Sequence, residues 1–88
     1  MSENKNPVAL ITGAARRIGA EISRIFHNHG YDIAIHYNNS EHDAEALAQE
    51  LNSVRKDSAA TFKAQLANSS DIKAMVKKLL LWRKKLDV

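Results

Sequence analysis

The stretch with the clearest chemistry is Thr12-Gly13-Ala14-Ala15-Arg16-Arg17-Ile18-Gly19. A short apolar run enters a Thr-Gly turn, which passes two small residues and two arginines and then opens into an amphipathic segment. Strand, glycine turn and helix in that order aim backbone N–H groups and a helix N-terminus at one point, an arrangement suited to a phosphate. Gly13 permits the tight turn and close approach of an anion, while Gly19 lets the following helix pack closely. Arg17 adds a fixed, bidentate donor. The same residues also fit a purely structural turn that carries two surface arginines.

Other chemistries have little support. The chain has no cysteine, which excludes disulfides, thiolate metal sites and a cysteine nucleophile. His27, His29, His36 and His42 lack the spacing of a metal site and read as surface or helix-end residues. No Ser-His-Asp arrangement is recognisable from spacing. The net charge of +3 is mild, but Lys73, Lys77, Lys78, Arg83, Lys84 and Lys85 gather near the C-terminus. A solvated helix face explains them; binding of nucleic acid is the weaker reading, since no recognised module accompanies the stripe. The apolar run near the N-terminus is too short for a signal peptide or a membrane span. A cytoplasmic location without a membrane partner is therefore expected.

These residues need elements to position them. Val8 to Thr12 is short and apolar enough for a buried strand. Ile18, Ile22, Ile25, Phe26 and His29 recur at helical spacing, and Gly30 follows as a left-handed cap. Tyr31 to Tyr37 alternates as a second strand, with Ile33 and Ile35 on one side. Ser40 is placed to cap the next helix, in a capping-box variant with Asp43. Ala44, Leu47, Ala48, Leu51 and Val54 form that helix's stripe, which Arg55-Lys56-Asp57 interrupts. Ala59 to Leu66 reads as a third strand, with Ala60, Phe62 and Ala64 on one side. Asn68-Ser69-Ser70-Asp71 starts a third helix whose stripe is Ile72, Met75, Val76, Leu79 and Leu80. Leu81 and Trp82 either widen that buried face or form an exposed patch for self-association. Leu86-Asp87-Val88 has the character of a fourth strand's first residues.

The expected fold is α/β: a partial, doubly wound parallel sheet of Rossmann type, βαβαβα with the start of a fourth strand, in one domain over residues 1–88. In such sheets ligands bind beyond the C-terminal ends of the strands, where strand order reverses. Gly13 to Gly19, Tyr37 to Ser40 and Gln65 to Asn68 all fall at those ends.

Read together, the motifs resemble the N-terminal nucleotide-binding half of the short-chain dehydrogenases/reductases, and within them most closely the pteridine reductases. The fingerprint Thr-Gly-x-x-x-Gly-x-Gly is present as Thr12 to Gly19, with Arg17 in the middle glycine slot. His36-Tyr37-Asn38-Asn39-Ser40 and Ala64-Gln65-Leu66-Ala67-Asn68 are similar to that family's segments after the second and third strands. The resemblance implies a dinucleotide site built from Gly13, Arg16, Arg17, Ile18 and Gly19, then His36, Tyr37, Asn38, Asn39 and Ser40, then Gln65 and Leu66. It implies NADPH as cofactor and, in a complete enzyme, hydride transfer to a pterin-like acceptor, with Arg17 reaching toward the pterin. No acid lies between Ala34 and Ser40, which favours a 2′-phosphorylated ribose over a bare one. Relatives often carry arginine where this chain has Asn39, and aspartate where it has Gln65. Asparagine brings no charge to a phosphate, whereas Gln65 keeps an amide oxygen for an adenine amino group. The family's Tyr-x-x-x-Lys pair is expected downstream of this truncated segment: Tyr31 and Tyr37 are followed four residues later by Ile35 and Glu41. No catalytic residue is therefore assigned. A catalytically incomplete binding or association module is the alternative.

Overall fold

A computed structural model describes residues 6–88; the polar segment 1–5 lies outside the described residues. Six elements alternate along the chain: β1 Val8–Ile11, α1 Arg17–Asn28, β2 Asp32–Tyr37, α2 Glu41–Val54, β3 Ala59–Lys63 and α3 Ser69–Trp82. The strands form a parallel sheet in the order β1-β2-β3. Ile11 lies beside Ile35, and Ile35 beside Thr61. The strands are shorter than the sequence suggested, ending at Ile11 and Lys63 rather than at Thr12 and Leu66.

Strand alternation divides the core between the two sheet faces. Ala9, Ile33, Ile35 and Ala59 pack with Ala44, Leu47, Ala48 and Leu51 of α2 and with Ala20 of α1. Leu10, Ala34, Phe62 and Ala64 meet Met75 and Leu79 of α3 on the other side. Two helices thus cover one face and α3 returns across the other. The tail then reaches the outer edge of β1: Val88 N donates to Val8 O at 3.1 Å, and Leu10 N to Val88 O at 3.0 Å. This is parallel pairing, and it places β1 between β2 and the tail. Strand order therefore reverses at β1, the switch point of a partial doubly wound α/β sheet.

Local signals explain the element ends. Gly30 has φ +95°, its N–H reaches His27 O at 3.0 Å, and Tyr31 N reaches Phe26 O at 3.1 Å. The Phe26 and Tyr31 rings meet edge-on across this cap, with centroids 4.9 Å apart. Such a paired cap with an apolar contact closes a helix at a glycine. Asn68 caps α3 by accepting from Asp71 N at 3.1 Å. Ser40 occupies the N-cap position of α2 but makes no side-chain cap bond, and Asp43 is 3.4 Å from Arg16 instead. The expected capping box gives way to an ion pair between loops.

The largest departure concerns α1. Its isoleucine stripe is not the buried one: Ile18, Ile22 and Ile25 are 76%, 38% and 52% exposed. His29 is exposed and Phe26 half-buried, while Ala20, Ser23 and His27 face the sheet. Small residues allow the helix axis to come closer to the strands, and the polar ones are satisfied there. Ser23 Oγ donates to Gly19 O at 2.8 Å, and the His27 ring contacts Ser58 Oγ at 2.7 Å. Val54 is likewise exposed, as are Val76, Leu80 and Leu81, while Trp82 tilts against Phe62. Arg83 is not part of a free basic face: it covers the Trp82 ring and pairs with the buried Asp32 at 3.0 Å.

His27 and His36 are buried, contrary to the surface role expected for the histidines. Burial pushes the His27 imidazole below its ordinary value of 6.5, and the Arg55 guanidinium adds to this; Asp32 and Glu50 oppose it less strongly. The unfolded chain therefore takes up a proton near pH 6.5 that the folded chain resists. Stability supplied by neutral His27 is full above that pH and is lost as pH falls through it. Urea titrations between pH 7.5 and 5.5, values chosen to span roughly one unit about a histidine's ordinary pKa, should show wild type losing stability relative to His27→Gln, which cannot titrate.

Candidate functional site

The C-terminal ends of the strands bring three loops together: the β1–α1 turn, the β2–α2 loop and the β3–α3 loop. Gly13 sits at φ +59°, and a Cβ built there meets nothing within 4 Å. The glycine is thus demanded by backbone conformation, and the space beyond it is open. At Gly19 the reason differs: a Cβ there would lie 2.2 Å from Gly13 O and 2.9 Å from Ala14 Cα. The first turn of α1 rests directly on the backbone of the β1–α1 turn.

The N-terminus of α1 has neither a side-chain cap nor an acid in its first turn. The first N–H groups of a helix have no intrahelical partner, so this helix end is an electropositive position at the C-terminal side of the sheet. Arg17, the first residue of α1, has φ +52°. A non-glycine residue in this region costs about 1–2 kcal/mol, and such strain clusters at ligand-binding positions. Its exposed guanidinium lies at the same helix end. Arg16 is also exposed but pairs with Asp43 across to α2. The fit to a phosphate-bearing ligand therefore rests on an open approach at Gly13, an uncapped helix end and a strained arginine beside it.

The loops are joined at their bases. Ala14 N donates to His36 O at 3.0 Å, and Gly13 N donates to His36 Nδ1 at 3.0 Å. His36 Nε2 meets Ala64 O at 2.8 Å, and Ala64 N donates to Tyr37 O at 3.1 Å. His36 is only 3% exposed, so it lies beneath the crevice rather than on its surface. Tyr37 is buried too; burial pushes its phenol upward, and Glu41 and Glu45 add to the shift. Asn38, Asn39, Gln65 and Leu66 are exposed at the rim, while Ile18 is exposed and Ser40 half-buried at the helix ends.

Sequence reasoning missed three contacts. Asp71 Oδ2 accepts from Gln65 N at 3.1 Å and anchors the β3–α3 loop, yet it read only as a helix-start residue. Asp43 holds Arg16, and the Ala64 carbonyl receives His36. Asp71 falls six residues after Gln65, a weak signal that a helix-start acid can reach back to the preceding loop. Among the described residues, no group of three or more His, Cys, Asp or Glu side chains could hold a metal. No described helix is long and apolar enough to cross a membrane.

Comparison with known proteins gives this geometry a lineage. Residues 7–88 match the family described as short chain dehydrogenase. Pteridine reductase 1 of Leishmania tarentolae is 48% identical over 62 residues, which cover 70% of this chain and 22% of that protein. The 3-oxoacyl-(acyl-carrier-protein) reductase FabG of Staphylococcus aureus is 38% identical over 80 residues, covering 91% of this chain and 32% of the relative. An uncharacterized oxidoreductase, YmfI of Bacillus subtilis, is 37% identical over 62 residues, or 70% and 26% of the two chains. The chain spans between about a fifth and a third of these relatives' lengths.

Two substitutions separate packing from backbone strain at the turn. Gly19→Ala should destabilise by about 1–3 kcal/mol, because the new methyl meets backbone that cannot move aside. Arg17→Gly should stabilise by about 0.5–1 kcal/mol through relief of the left-handed strain, partly offset by glycine's larger unfolded freedom. Urea unfolding of both variants checks these opposite signs.

Proposed function

The chain belongs to the short-chain dehydrogenase family, and on that premise we propose that it forms the NADPH-binding segment of a reductase of the pteridine-reductase kind. The observation that carries this reading is Arg17: a strained, exposed arginine at the uncapped start of α1, beside the open approach at Gly13. The 48% identity to a protein named pteridine reductase supports the narrower assignment.

In this reading residues 1–88 belong to one dinucleotide-binding domain. Gly13 leaves the pyrophosphate room, and the helix end with Gly19 beneath it supplies N–H donors. Arg17 contributes charge and Arg16 supports it from its pair with Asp43. Asn38, Asn39 and Ser40 receive the ribose 2′-phosphate, with no acid between Ala34 and Ser40 to repel it. Gln65 and Leu66 receive the adenine. When bound, the dinucleotide supplies a hydride for a pterin-like acceptor. This segment's own work is to hold and orient the cofactor, since neither Tyr31 nor Tyr37 is followed by lysine four positions later.

Calorimetric titration of NADPH and NADH tests the assignment. Wild type should prefer NADPH only slightly, because Asn39 adds no charge and a helix end contributes about 0.3–1 kcal/mol. Asn39→Arg should enlarge the preference, and Arg17→Ala should lose about 1.5–3 kcal/mol of affinity for both dinucleotides. A clear preference for NADH in wild type would contradict the NADPH assignment. The 88-residue chain, mixed with NADPH and a dihydropterin, should bind the cofactor without consuming it; enzyme-dependent loss of nicotinamide absorbance would refute that division of labour.

A further inference from the structure

We propose that His36 is the positioning residue of the phosphate turn: a neutral imidazole, protonated on Nε2, that holds the Gly13 amide and the Ala64 carbonyl and so sets the relative placement of two loops of the crevice. This rests on the NADPH-binding reading above, and it assigns His36 a role beneath the ligand rather than against it.

The hydrogen bonds define the ring's state. Gly13 N–H can only donate, so Nδ1, 3.0 Å away, carries the lone pair. The Ala64 carbonyl can only accept, so Nε2, 2.8 Å away, carries the proton. Both nitrogens are engaged and the residue is 3% exposed, which leaves no ring atom for a ligand. The main chain of the same residue takes the next amide of the turn, with Ala14 N donating to His36 O at 3.0 Å. One residue therefore holds two successive N–H groups of a turn whose glycine has the least conformational preference of its own. Across the strand, the ring receives support from Ala64, whose N–H returns to Tyr37 O at 3.1 Å.

The position also argues against a filler role. β2 is buried along its whole length, and Ala34, two residues earlier on the same sheet face, is a small apolar residue. A polar ring in such a place is tolerated only when its nitrogens are satisfied. Here the satisfying partners are the backbones of the two loops that flank the proposed cofactor site.

Nitrogen NMR of the histidine-labelled 88-residue chain, without ligand, should show His36 with a bare Nδ1 and a protonated Nε2, and a coupling from the Gly13 amide to Nδ1. The opposite tautomer, or no coupling, would overturn the proposal whatever the variants do. NADPH is then titrated against wild type, His36→Phe and His36→Asn. His36→Phe keeps a ring but no acceptor and should bind about five- to tenfold more weakly, the scale of one net hydrogen bond. His36→Asn offers an amide oxygen to Gly13 N–H and should recover most of that loss, which a merely space-filling role would not produce. Equal NADPH affinity in wild type and the Phe variant would overturn the positioning role alone. Absence of NADPH binding in wild type, with the expected ring tautomer present, would instead overturn the cofactor reading on which the role depends. If the Phe variant does not fold, the Asn variant and the ring spectrum decide: weak binding by a folded Asn variant counts against the proposal.

Discussion

Burial of β2 on both faces is the constraint from which most of this structure follows. A central parallel strand is shielded from water, so any polar side chain on it must be matched by protein. β2 carries two such side chains near its ends, Asp32 and His36. At the Asp32 end, Arg83 approaches from the end of α3 at 3.0 Å, and Arg55 from the end of α2 at 3.3 Å. At the His36 end, the partners are the backbones of the β1–α1 turn and the segment after β3. One end ties the helices to the sheet; the other gathers the loops of the crevice.

The chemistry of the two ends differs in a way that suits their places. Asp32 is a buried charge, and a buried charge left without partners is costly, so two guanidinium groups converge on it. Removal of either partner from such a buried pair would leave an uncompensated charge in the interior. His36 is satisfied by neutral backbone and brings no anion to the site, where Arg16 pairs with Asp43 and the exposed Arg17 adds its charge beside the α1 N-terminus. Among the described residues, Arg55 Nε has no hydrogen-bond partner.

The approach of α1 to the turn depends on small side chains. Gly19 meets the backbone of Gly13 and Ala14, while Ala20 and Ser23 continue the close face. The price is that the large isoleucines of the helix point elsewhere. Arg17 stands where the family fingerprint has glycine and keeps the left-handed conformation that glycine would adopt without strain.

Element order, the parallel α/β class and the positions of all three crevice loops were legible from short-range patterns. Hydrophobic spacing, the Gly30 cap and the start of α3 in Asn68-Ser69-Ser70-Asp71 are decided within a few residues, so the sequence alone carries them, while the structure selects Asn68 as the cap. The glycine positions of the turn were legible for the same reason, since Gly13 and Gly19 answer to backbone demands within a few residues. What sequence could not decide was which face of α1 would be buried. The most apolar stripe and the closest-packing stripe are different faces of that helix, and only contact with the sheet chooses between them. Nor could spacing show that His27 and His36 are internal, that Asp43 turns to Arg16, or that Asp71 anchors the loop after β3. Those partners lie on separate elements, and a polar residue's role is set by the groups that tertiary packing brings within hydrogen-bonding distance.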